Sequence, residues 1–255
     1  MDWLSIGVLL TVAAGATVQI ITGTGFALVC APFLLLMLGP DVGVRAVLVL
    51  SLALNTYLLA VTIRHVRWKD ALLLLLPVAL LIVPTVFVVG AIRGPALTIT
   101  AGAVIVIATL LVVRRRTLKV IDTVGGVVLV GAVSGVFTVV AAVSGPPVTL
   151  LAVQRKWQPD VSRATMQAFF LPLNLLAILV LGPVDADLSN VWWAIGGCAL
   201  GLVVGSLGAR CIPATAVRWA MLTVAAAGGV WLIASGALEM IATAASSSPT
   251  RSGPV

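Results

Sequence analysis

The chain has 255 residues, of which 61% are hydrophobic and 9% charged, far below the roughly 25% charged residues of a soluble domain. Apolar runs long enough to cross a bilayer recur along its length and lack the two-residue alternation of a membrane barrel, so the expected class is an all-α polytopic membrane protein. The net charge of +7 does not indicate nucleic acid, because the basic residues sit in short loops between apolar runs, where orientation signals belong.

The first run, Leu4–Leu38, is 35 residues long. As one straight helix it would measure about 52 Å against a hydrocarbon core of about 30 Å, so it must tilt, break or fold back. It does not read as a signal peptide, since Asp2 stands where a basic segment would and the run outlasts an h-region. Thr22-Gly23-Thr24-Gly25 supplies the break: glycine permits a tight reversal, and Thr24 is the expected N-cap of the returning helix. Crossing helices are then predicted at 45–63, 71–92 and 96–113. The basic stretch Arg114-Arg115-Arg116-Thr117-Leu118-Lys119 closes this first half, 1–118.

The second half, 119–241, repeats the plan. An interrupted run at 124–153 is followed by predicted helices at 164–181, 190–209 and 218–238. Gly135 falls on Gly15, and Ser144-Gly145 on Thr24-Gly25. Ser144 is the expected N-cap there, with Pro146 and Pro147 in the first turn. Asp160-Val-Ser-Arg163-Ala164 resembles Asp41-Val-Gly-Val-Arg45-Ala46, and Asn174 falls at almost the depth of Asn55. The stretch 242–255 is polar and rich in Ser, Pro and Gly, which predicts a disordered tail.

Loop charge chooses between threadings. If each interrupted run crosses once, the fifteen Lys and Arg residues divide eight against seven, which orients nothing. If each is a hairpin that returns to its starting side, Arg45, Arg93 and Arg251 lie opposite the other twelve. That is a positive-inside pattern, with both termini outside and the 114–119 loop cytoplasmic. Each half is then a re-entrant helical hairpin plus three crossing helices. Three is odd, so the two repeats are inverted. Paired broken helices in matching halves point to a transporter, with its site where the breaks meet.

The returning helices would start inside the membrane with unpaired backbone N–H groups and roughly half a positive charge. Two such ends suit an anion without a buried lysine or arginine. Candidate substrate contacts are Thr22, Gly23, Thr24 and Gly25, then Ser144, Gly145, Pro146 and Pro147, with Asn55, Asn174 and Gln167 from the crossing helices. Small residues and amides also serve helix packing, and that is the preferred reading of Gly15 and Gly135. Arg45 and Arg163 read first as interfacial anchors and second as gating or anion-attracting groups. His65 lies in a basic loop and reads as solvated rather than as a proton relay. Cys30, Cys198 and Cys211 have no metal-type spacing. No metal site or cofactor is expected.

At Thr22–Pro32 (T-G-T-G-F-A-L-V-C-A-P), at Val143–Val148 (V-S-G-P-P-V) and at Arg163-Ala164, the chain resembles the TauE/SafE family of sulfite exporters. The duplicated layout fits that family up to about Met240. Many members carry a glycine triplet where this chain has Gly-Thr-Gly and Ser-Gly-Pro-Pro. The resemblance implies an inner-membrane permease that exports sulfite or a small organosulfonate such as sulfoacetate. Its expected partners are that small anion and the lipid bilayer; a homo-oligomer is left open. The alternatives are a permease for another small anion and a proton-coupled importer. From other classes come an accessory or structural membrane subunit and a membrane enzyme. The chain has no G-x-x-x-x-G-K-[ST] nucleotide loop. Its one close acidic pair, Asp185-Ala-Asp187, reads as a turn, so the expectation is that the chain is not an enzyme.

Overall fold

The computed structural model describes residues 3–92, 94–114, 123–182, 188–208 and 212–247. The basic linker beyond Arg114, Arg93, Arg210, Cys211, Asp185, Asp187 and Arg251 lie outside the described residues. Among those described there are ten α-helices, a 3-10 turn and no strand. They are α1 (Trp3–Thr22), α2 (Phe26–Leu38), α3 (Pro40–Thr62), α4 (Trp68–Ala91), α5 (Pro95–Arg114), α6 (Val124–Ala141), α7 (Gly145–Gln154), α8 (Pro159–Leu181), α9 (Leu188–Gly208) and α10 (Ala214–Ser247), with the 3-10 turn Ile63–His65 after α3. Seven of these helices are long and apolar enough to cross a membrane. The expected all-α polytopic class is the class observed.

The helices are apolar on every side, which is the mark of a lipid surround. On α4, Ala71, Leu74, Val78 and Ile82 are buried, while Leu72, Leu76, Leu80 and Phe87 are exposed. The buried stripe packs on α6, and the exposed stripe has no polar residue to meet water.

Both interrupted runs fold back. Along α1 and α2, Gly7 faces Met37, Cys30 Sγ lies 3.3 Å from Thr11 O, and Gly15 faces Cys30 and Phe26, so the two helices run antiparallel. The close fit of Gly15 against Cys30 agrees with a packing role. At 13 residues α2 is about 20 Å long and at 10 residues α7 is about 15 Å, so neither return arm crosses a 30 Å core. The outgoing arms α1 and α6, of 20 and 18 residues, are longer than their returns, so the hairpins are lopsided.

Several helix boundaries differ from the sequence expectation, and three of them have a clear physical reason. α3 and α8 start at Pro40 and Pro159, earlier than 45 and 164, because proline's fixed φ suits a first turn. At the other end, α10 continues through Ser247, so 242–247 are helical rather than a disordered tail. Extending an existing helix through Ala and Ser costs far less than starting one. Residues 248–255 lie outside the described residues.

Helix packing repeats between the halves. α1 packs on α9 as α6 packs on α4; α2 touches α10 as α7 touches α5; and α3 meets α8 as α5 meets α10. Small residues bring the backbones together. A Cβ on Gly201 of α9 would lie 2.5 Å from Ala13 O, and one on Gly131 of α6 would lie 2.1 Å from Leu74 O. A polar cluster ties the halves at one end of the bundle. Asp70 at the start of α4 is buried and pairs with Arg155 Nη1, just past α7, at 2.5 Å and with Arg67 Nε at 2.8 Å. Arg67 also stacks on Trp157, 5.7 Å from the ring centroid, and its N–H donates to Thr165 Oγ1 of α8.

Three substitutions check this packing. Gly201→Val should separate α1 from α9 and cost at least about 1–3 kcal/mol of overpacking, seen as a lower Tm in detergent. Gly90→Ala, with nothing within 4 Å of the added carbon, should leave Tm unchanged or raise it. Asp70→Asn should also lower Tm, because it leaves Arg155, 19% exposed, without its carboxylate. Breaking a fully buried pair costs about 3–5 kcal/mol, and this partly exposed one should cost less. An Asp70→Asn protein with parental Tm would show that the cluster holds nothing together.

Candidate functional site

The first tip is a turn that only glycine allows. Gly23 and Gly25 sit at φ +81° and +115°, the left-handed region that penalises a Cβ. Thr22 Oγ1 lies 2.8 Å from Val18 O, contacts Thr24 O and accepts from the Thr24 N–H, so this hydroxyl braces the turn from within.

The capping expectation is corrected here. The N-cap of α2 is Gly25, one residue after Thr24, and it has no side chain to offer. Gln19, a turn before the break, does the capping instead. Its Oε1 accepts from the Phe26 N–H at 3.0 Å, and its Nε2 donates to Asn55 Oδ1 at 3.2 Å. The next two N–H groups of α2, on Ala27 and Leu28, have no intrahelical acceptor by helix geometry.

The second tip is built differently. α6 ends at Ala142, which sits at φ +57° and closes on Phe137 O and Thr138 O. That conformation costs a non-glycine residue about 1–2 kcal/mol. Ser134 Oγ donates to Ser144 O at 3.0 Å and fixes the chain across the break. Ser144 occupies the N-cap of α7, but its side chain makes no cap bond. Pro146 and Pro147 carry no N–H, so the first turn of α7 offers fewer backbone donors than that of α2.

The tips meet inside the bundle. A Cβ on Gly145 would lie 4.0 Å from Thr24 Cβ and 3.9 Å from the Phe170 ring, both ordinary contacts. Asn55 and Asn174 each stand sixteenth in a 23-residue helix, α3 and α8, and both are buried. They face one cavity of about 130 Å³ whose wall includes Thr22, Thr24, Gly25, Ser144, Gly145 and Pro146. Eight of the eleven expected contact residues are thus gathered in one place. Asn174 Oδ1 is buried and finds no hydrogen-bond partner among the described residues. An unmet acceptor of this kind costs about 1–3 kcal/mol and calls for a donor, such as a water or the proton of a protonated oxyanion, rather than for a bare anion.

The other expected residues stand beside it. Gln167 Nε2 donates to Gly23 O at 2.9 Å, and Arg163 Nη2 to Ile21 O at 2.5 Å. Both come from α8 and hold the C-terminal carbonyls of α1, where positive charge suits the helix dipole. The missing Cβ of Gly23 makes room for the Arg163 side chain. Gly23, Gln167 and Arg163 line a separate cavity of about 210 Å³ that also includes Tyr57. Pro147 is buried and Arg45 lies in the second turn of α3; neither lines the tip cavity.

The sequence reading left out Gln19, Ser51, Thr149, Met221 and Arg218 from this wall. Arg218 also corrects the expectation of a site without arginine. It lies in the second turn of α10, half-buried, and its Nη2 donates to Val112 O at 3.1 Å, at the end of α5. A signal for Gln19 was present, as a polar residue one turn before the break. Nothing local in the sequence distinguishes Arg218 from an interfacial charge.

Among the described residues no group of three or more His, Cys, Asp or Glu could hold a metal ion. Among the described residues the site's chemistry is that of neutral donors, amides and one guanidinium around a small space, with no carboxylate in the wall. No curated protein and no solved structure matches the chain. The family described as Sulfite exporter TauE/SafE matches it over residues 7–232, from α1 into α10 and across both hairpins. The chain therefore belongs to the TauE/SafE family of membrane sulfite and anion exporters.

Proposed function

We propose that this protein is a permease that exports a small oxyanion, with sulfite or a small organosulfonate as its cargo, by alternating access around the tip cavity. The observation that carries the reading is the meeting of two broken helices at one small polar cavity. Thr24 and Gly145 approach within contact distance there, and the paired amides Asn55 and Asn174 face the same space. About 130 Å³ accommodates a small oxyanion with part of its hydration shell. Hydroxyls of Thr24 and Ser144, amides, and the first-turn N–H groups of α2 supply donors. A larger amphiphile would not fit.

The reading takes the halves as repeats, 1–118 and 119–241, inverted about the cavity. The exchange packing of α1 on α9 and α6 on α4 supports that relation. It also takes the protein to sit in the inner membrane with both termini outside and the 114–119 loop cytoplasmic, which the 12-to-3 division of basic residues supports.

Export of an anion needs no coupling ion. One charge moved across 100 mV is worth about 2.3 kcal/mol, so an anion leaves a negative interior downhill. The lack of Asp and Glu among the described residues of the cavity wall fits this better than a proton-coupled importer. In liposomes holding only the purified chain, a sulfite gradient should drive anion flux that follows the membrane potential. Obligatory proton or sodium movement would replace this mechanism with a coupled one.

Two substitutions separate site from scaffold. Gly145→Val adds carbon toward the cavity without a backbone clash, so it should keep the parental Tm and lose sulfite binding by at least about tenfold. Gly25→Val should fail differently. It forces a β-branched residue to φ +115° with its Cβ 2.2 Å from Met221 Sδ, so it should lower Tm as well as binding. A Gly145→Val protein that binds and transports like the parent would make the tips packing elements and place the substrate elsewhere.

A further inference from the structure

The tip cavity shares part of its wall with a neighbouring cavity, and the charged side chains described along that line are all basic. A second cavity of about 290 Å³ shares Thr22, Thr24, Thr149 and Arg218 with the tip cavity. A third, of about 390 Å³, shares Thr149, Pro159 and Ser162 with the second and reaches Lys156 and Trp157. Together they run from the tips past the start of α8 to the end of the bundle that carries the Asp70–Arg155 pair. Lys156 stands at the outer cavity, Arg163 in the middle one, and Arg218 at the neck where the middle cavity joins the tips. Among the described residues, no aspartate or glutamate lines any of the three.

Arg218 differs from the other two cations in its position. Lys156 lies far from the tips. Arg163 is committed to Ile21 O and to the space beside Gly23, outside the tip cavity. Arg218 alone of the three lines the cavity where the anion is placed, and its bond to Val112 O holds the guanidinium against α5. The remaining wall is neutral. Hydroxyls, amides and backbone N–H groups bind a monoanion and a dianion of similar shape with modest discrimination. A fixed positive charge attracts a dianion about twice as strongly as a monoanion at the same distance, because the Coulomb term scales with ligand charge.

Resting on the transport reading above, we propose that Arg218 sets the charge preference of the site. It selects the doubly charged oxyanion over its singly charged form at the neck of a positively lined vestibule that opens beside Lys156. Arg163 and Lys156 draw anions inward, and Arg218 receives them at the tips.

The test uses the full-length purified protein in nanodiscs and sulfite binding by calorimetry, from acid pH, where bisulfite dominates, to alkaline pH, where sulfite does. The parent should bind more tightly as the ligand loses its proton. Arg218→Gln should weaken binding of the dianion by about ten- to a hundredfold and flatten that pH dependence, whereas loss of a merely structural bond would leave the slope intact. Arg218→Lys should keep the slope and lose only a few-fold in affinity. Arg64→Gln removes an exposed charge outside the cavities and should change neither. A folded Arg218→Gln protein with parental affinity and slope overturns the proposal and leaves the transport reading standing. A parent that binds no anion overturns both.

Should Arg218→Gln not fold, a cysteine at Thr215 in the middle cavity, in a chain with Cys30, Cys198 and Cys211 changed to alanine, gives a second readout. An anionic methanethiosulfonate should label it several-fold faster than a cationic one, and sulfite should slow that labelling. Equal rates for the two reagents overturn the positively lined vestibule.

Discussion

A helix that stops inside a bilayer leaves backbone N–H and C=O groups where there is no water to meet them, each costing several kcal/mol. The structure tolerates two such stops because the surrounding helices supply side chains at each. At the first, Gln19 takes the Phe26 N–H, Gln167 gives to Gly23 O and Arg163 gives to Ile21 O. At the second, Ser134 gives to Ser144 O, and Pro146 and Pro147 remove donors that would otherwise need partners. Gln19, Ser134, Ser144 and Gln167 are buried at these breaks for that reason. The groups left over face the cavity between the tips.

That division of labour separates holding from binding. Gln19, Gln167, Arg163, Thr22 and Ser134 secure the ends of the broken helices. Thr24, Ser144, Gly145 and Asn174 face the space between them. The packing that brings the ends together is made elsewhere, where glycines on α6 and α9 let them press against α4 and α1. The bonds from Gln167 and Arg163 of α8 to Gly23 O and Ile21 O join the first tip to the other half, so those two contacts hold the breaks together across the bundle.

How much of this was legible before the coordinates depends on how local each signal is. Both breaks could be read, because glycine stands with a hydroxyl residue at the middle of each interrupted run, at matching places in the chain. The pairing of Asn55 with Asn174 could be read too, since each follows a similar Asp-to-Arg-Ala opening at almost the same depth, and each stands sixteenth in its helix. The caps could not. Threonine and serine at a break look like N-caps, but the first turn needed a left-handed residue, and that moved the cap to Gly25 and its hydrogen bond to Gln19. Arg218 was illegible for a different reason. It reaches the cavity only because α10 lies on α5, where Gly102 and Gly229 let the backbones touch, a contact between residues more than a hundred positions apart.

The central claim is that the anion sits between the two helix breaks. Selenite has the charge and shape of sulfite, and its selenium scatters anomalously. A crystal structure of the protein soaked in selenite, with data collected at the selenium edge, tests the claim most directly. The account predicts an anomalous peak in the tip cavity, within reach of Thr24, Gly145 and Arg218. A peak confined to the cavity beside Tyr57 and Gln167, or on the bundle surface with the tip cavity unoccupied at saturating selenite, would contradict it.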